Sequence, residues 1–171
     1  MTFDAILMAL CVVLGLVSID LGNIKMSFED LPIIVGALLF GPLDGFLIGT
    51  LGTFLNQMIR YGFSATTVLW ILPLTLCGLT AGWMMKKADF APKRKTLLAI
   101  ILMACIVVTA FNTLAIFVDS RMYGYYTPAF IIAPLLPRFG ISVVKAIVYW
   151  AFMPALLEAL RKFVGKKTEK V

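Results

Sequence analysis

Apolar residues run along this chain in blocks separated by short polar breaks. The blocks lie at about 3–20, 31–41, 43–60, 67–85, 97–118 and 139–162. A helix crossing a bilayer needs about 20 predominantly apolar residues, so these blocks predict membrane spans. Spans two and three come from one long run, divided at Gly41-Pro42-Leu43-Asp44-Gly45. Proline flanked by glycines is strong helix punctuation. Each half is short, and neither crosses fully unless its boundary is stretched or protein shields it. The stretch from Asp119 to Gly140 is rich in proline and tyrosine, and its apolar part, Ala129 to Leu136, predicts a partial helix against the bundle.

Composition agrees with this pattern. The chain is 61% hydrophobic and 14% charged over 171 residues. Soluble domains run about 45–50% apolar and about 25% charged. The expected fold is an all-α integral membrane protein, a six-transmembrane-helix bundle forming one domain over residues 1–171. The first apolar block lacks a basic leader and a small-residue cleavage site, so it reads as a retained span.

Charge sets the expected orientation. Lys86, Lys87, Lys93, Arg94 and Lys95 sit between spans four and five, and Arg161, Lys162, Lys166, Lys167 and Lys170 form the tail. Ten of the 15 basic residues thus fall in two clusters, which six spans place on one side. Basic loops favour the cytoplasm, so both termini are expected there. Trp83 fits an interfacial anchor beside them. Topology and anionic lipid account for the net charge of +6, so no nucleic-acid partner is implied.

Catalytic chemistry has little to stand on. The chain has no histidine, hence no HExxH metal site and no imidazole base. No GxSxG or Walker A loop is present, and paired intramembrane aspartates are missing. Cys11, Cys77 and Cys105 lie in apolar runs without CxxC spacing and read as buried thiols. No cofactor and no catalytic residue is expected.

The outward side instead gathers polar and aromatic groups from several spans. Lys25 follows span one, Asn56 and Arg60 close span three, and Trp70 opens span four. Asn112, Arg121 and Tyr125 come from span five and its loop, and Arg138, Lys145 and Tyr149 share one face of span six. Aromatic walls with a few placed polar groups describe a small-molecule pocket. An outer aromatic belt with snorkelling cations is the competing reading for Arg60, Arg121 and the tyrosines. Lys145 lies about one turn inside its span, where a charge marks a cavity or a functional path; reaching up to the headgroups is its alternative.

Two small-residue patterns predict close helix contacts. Ala5 and Ala9 share a face of span one, open to a partner helix. Gly41, Gly45, Gly49 and Gly52 stripe span three, for packing within the bundle or for external docking.

The whole chain resembles the substrate-binding S component of an energy-coupling factor (ECF) vitamin transporter, folate-type family. The resemblance rests on Ala5-xxx-Ala9, on Ser27-Phe28-Glu29-Asp30-Leu31-Pro32 leading into a short second span, and on Gly36 to Pro42 with glycines after it. Pro137-Arg138 opening the last span is similar to folate-type members. The resemblance implies a high-affinity vitamin-binding subunit without catalytic activity in the plasma membrane of a prokaryote. It further implies a loop between spans one and two that helps to close the site. A transmembrane coupling subunit, contacted by the Ala5 and Ala9 face, and two ATPases would be its partners. Folate is the expected ligand. Pantothenate, cobalamin or a queuosine precursor are the alternatives, and a solitary permease is the competing transporter class.

Overall fold

The computed structural model describes residues 2–21 and 24–168, with side chains over 3–18, 27–129 and 131–163. The order is α1 (Thr2–Leu16), β1 (Ile19–Leu21), β2 (Ile24–Met26), α2 (Asp30–Phe40), α3 (Pro42–Tyr61), α4 (Thr67–Lys87), α5 (Arg94–Met122), the short α6 (Pro128–Ile132) and α7 (Leu135–Thr168). Helices occupy most of each of the six expected apolar blocks, and the partial helix appears as α6. Three helical stretches, Thr67–Lys87, Arg94–Met122 and Leu135–Phe163, are long and apolar enough to cross a membrane.

The first block ends sooner than its hydropathy suggests. Helix α1 stops at Leu16, and residues 19–21 pair with 24–26 as an antiparallel hairpin. Both strands read apolar–polar–apolar, with Asp20 opposite Lys25, and alternation over three residues is too brief to stand out against a helical run.

Helix α2 spans only 11 residues, or about 16 Å at 1.5 Å per residue, far short of the hydrocarbon core. Protein surrounds it instead. Asp30 and residues 32–38 are buried, and Ile34, Val35 and Leu38 centre a cluster completed by Ala81 and Met85 of α4, Ile100 and Ala104 of α5, and Met153 of α7. In lipid, apolar burial does not separate helix–helix from helix–lipid contact, so close packing holds the bundle together.

The glycines supply that closeness. A Cβ at Gly45 would lie 2.7 Å from the Gly78 carbonyl oxygen, and one at Gly49 would lie 2.6 Å from that of Leu74. One at Gly78 would stand 2.1 Å from the Gly45 oxygen. Backbones of α3 and α4 therefore touch directly, and the glycine stripe of α3 serves internal packing. Ala5 and Ala9, by contrast, lie exposed on α1 beside exposed Ile6 and Leu10.

Contacts between sequence-distant residues define two ends. At one, the Phe3 ring packs tilted against Phe40 at 6.3 Å, and Arg161 Nη2 donates to the Phe90 carbonyl at 2.8 Å. Lys87 covers Trp83 at 3.6 Å, and Arg94 covers Trp150 at 4.6 Å. At the other, Arg60 reaches from the end of α3 to the end of α1, donating to the Gly15 carbonyl at 2.8 Å and the Ser18 hydroxyl at 2.9 Å. The hairpin emerges there.

Candidate functional site

Below the hairpin the helices part around a cavity of about 610 Å³. Ser27, Glu29 and Asp30 enter it from the residues after β2. Thr53, Gln57 and Tyr61 come from α3, and Thr66, Trp70 and Leu74 from the start of α4. Helix α5 adds Thr109, Asn112 and Asp119, followed by Tyr123 and Tyr125, while α7 adds Arg138, Ser142 and Lys145. Apolar and aromatic walls with few polar groups, in a volume between about 300 and 1,000 Å³, suit an organic molecule.

Two polar clusters build the wall beside the hairpin. In the first, Asn56 Nδ2 donates to Glu29 Oε2 at 2.7 Å, and the Ser27 hydroxyl donates to Glu29 Oε1 at 3.0 Å. Gly15 permits this contact, because a Cβ there would stand 1.7 Å from Asn56 Nδ2. In the second, Lys145 Nζ lies 2.7 Å from Asp30 Oδ2, and the Tyr149 hydroxyl donates to Asp30 Oδ1 at 2.8 Å. The Asp30 side chain is 2% exposed and that of Lys145 16%. Stranding one partner of such a buried pair costs about 3–5 kcal/mol. Lys145 also donates to the Ser27 carbonyl at 2.9 Å, joining both clusters.

The far rim is aromatic. Tyr125 donates its hydroxyl to Asp119 Oδ2. Partial burial, then that hydrogen bond and the carboxylate's charge, push the phenol up to about 12, so it stays protonated at neutral pH. Arg121 lies over Tyr126 at 4.1 Å and Phe117 at 5.4 Å.

Comparison with known proteins assigns this architecture. The family described as "ECF transporter, substrate-specific component" matches residues 1–164. The chain belongs to that family. A crystal structure of the S component for biotin from an ECF-type ABC transporter shares its fold, with a TM-score of 0.65 and 18% identity, over 94% of this chain and 89% of that one. No curated protein matches. This S component is thus the substrate-binding membrane subunit of a vitamin transporter that works with an ECF module.

Of the residues singled out in the sequence, Trp70, Asn112, Tyr125, Arg138 and Lys145 line the cavity together. Asn56, Arg60 and Tyr149 stand behind its lining and hold Glu29, the α1 end and Asp30. Arg121 is exposed and lies over the Tyr126 and Phe117 rings instead. Lys25 lies in β2, and its side chain falls outside the described residues, as do those of Lys166 and Lys167 and all of Lys170.

The sequence also places Glu29, Asp30, Gln57 and Asp119 on the polar outward side, without naming them as site residues, and each lines the cavity. The partners that hold Glu29 and Asp30 there, Asn56, Tyr149 and Lys145, lie elsewhere in the chain. Asp119 carried a signal, since it shares a face of α5 with Asn112 at a seven-residue spacing.

Proposed function

We propose that this S component captures folate on the outer face of a prokaryotic plasma membrane. The supporting observation is the coexistence, in one aromatic-walled cavity, of a carboxylate and amide set with a cation. Asp119 and Asn112 suit the donor-rich edge of a pterin, Trp70 and Tyr125 suit its ring faces, and Arg138 suits the glutamate carboxylates.

The bundle crosses six times with both termini in the cytoplasm. The basic residues of 86–95 and 161–162 gather at the end opposite the cavity, which supports this orientation. The exposed Ala5 and Ala9 face receives the transmembrane coupling subunit, and two ATPases on separate chains supply the energy. Ligand capture and docking then use different parts of the molecule.

Equilibrium titration of the purified chain with folate and with biotin tests the ligand. Saturable folate binding in the nanomolar-to-micromolar range, with weaker biotin binding, is expected. Preference for biotin, or absence of folate binding, sinks the proposal. Folate uptake by cells carrying this chain without a coupling module favours a solitary permease instead.

A further inference from the structure

Hydroxyls inside the helices of this protein share a habit. Thr50, Thr80, Thr109 and Thr113 each donate to the carbonyl four residues back, and Ser120 donates to the one three back. Bonding back to the preceding turn is the ordinary way for a helix to satisfy a serine or threonine. Ser142 of α7 departs from it. Its oxygen is shut off from solvent and has no hydrogen-bond partner among the described residues. The residue as a whole is only 5% exposed.

A buried hydroxyl without a partner lowers stability, and proteins keep few of them. Ser142 also lines the cavity, one turn after Arg138 and just under one turn before Lys145. It is not needed to hold Lys145, whose ammonium meets Asp30 Oδ2 at 2.7 Å and the Ser27 carbonyl at 2.9 Å. The orphan hydroxyl and the cavity therefore coincide at one residue, in the middle of the α7 wall.

We propose that Ser142 is a ligand-contacting residue: its hydroxyl turns about the Cα–Cβ bond into the cavity and hydrogen-bonds the bound vitamin. The proposal rests on the cavity as the vitamin site, which the folate reading shares, and not on folate as the vitamin. A change of staggered rotamer is enough, and the backbone need not move. Binding then satisfies a group that the protein alone leaves unpaired. A ligand without a polar atom at this wall is rejected, because the hydroxyl stays unpaired beneath it.

The reading predicts effects of opposite sign. Removing the hydroxyl relieves the ligand-free protein of an unpaired group and deprives the complex of a hydrogen bond. A serine with a purely structural partner would instead lose stability on replacement.

The test uses the full chain in nanodiscs, with folate and biotin as probes. Ser142→Ala is expected to melt no lower than wild type in the absence of ligand. Its affinity for whichever probe wild type prefers should fall by about three- to tenfold, with a smaller ligand-induced rise in melting temperature. Ser142→Cys keeps a weak donor at the same position and should recover part of the affinity.

Unchanged affinity in Ser142→Ala overturns the proposal and leaves the hydroxyl to water. A lower ligand-free melting temperature overturns it as well, since it reveals a structural partner. If wild type binds biotin and not folate, the folate reading fails and the Ser142 comparison proceeds on biotin. If it binds neither, the ligand-free melting temperature still decides: a fall overturns the proposal, and a rise supports the unpaired hydroxyl on which it stands.

Discussion

The two ends of this bundle are built on opposite principles. Toward the basic end, α3 and α4 press backbone to backbone, with Gly45 against Gly78 and Gly82 against Pro42. Toward the hairpin end the same helices are separated by side chains, and the gap becomes a polar cavity lined by Thr53, Gln57, Thr66 and Trp70. Small residues give rigidity without polar groups in lipid. Polar groups at the other end are admitted because each wall carboxylate has a partner: Glu29 has Asn56, Asp30 has Lys145 and Asp119 has Tyr125. One end is therefore held together by shape, and the other by paired polar groups.

The largest expected effect falls on the packed end. Gly78→Leu drives a side chain into the Gly45 carbonyl, and overpacking of this kind, with neither backbone able to retreat, costs about 3 kcal/mol or more. Loss of the monodisperse peak in size-exclusion chromatography is the expected readout. A well-folded variant would show that the α3–α4 contact is slack.

Next comes a separation of transport from binding. Ala5→Trp and Ala9→Trp are expected to abolish vitamin uptake and co-purification with the coupling module while leaving the folate dissociation constant unchanged. Retained uptake would remove this face of α1 from the docking surface.

The cavity end breaks more gradually. Arg138→Gln removes a cation that lines the cavity, and loss of charge-assisted hydrogen bonds of about 1.5–3 kcal/mol to a ligand should weaken folate binding by about ten- to a hundredfold. Gly15→Ala strikes the Asn56–Glu29 hydrogen bond and leaves those groups imperfectly paired, at about 1–3 kcal/mol. A lower melting temperature, with binding reduced less than in Arg138→Gln, is the expected result. The smallest effect belongs to Arg121→Gln. That side chain is exposed and lies over the Phe117 and Tyr126 rings, and a titration should find folate affinity within about twofold of wild type.

Hydropathy made the helices legible because each apolar block is a local property of consecutive residues. The Gly41-Pro42 break correctly separated α2 from α3 for the same reason, since proline acts on its own turn. The hairpin was hidden because three-residue strands merge with the end of an apolar block and a polar linker.

The wall of the site was partly legible. Trp70, Asn112 and Arg138 sit where helical periodicity turns them toward the hairpin end. Their neighbours depended on pairings across the chain. Asn56 meets Glu29 from 27 residues away, and Tyr149 meets Asp30 from 119. No pattern along one element encodes such partners. Lys145 shows the consequence: the sequence marks it as a charge deep in a span, and only the fold brings Asp30 against it.

Recognition of folate in the cavity that Arg138 lines is the central claim, and mass spectrometry of small molecules retained by the purified chain tests it most directly. Folate is expected in the wild-type protein and should be lost from Arg138→Gln. Recovery of a different vitamin, or equal folate retention by Arg138→Gln, would contradict the account.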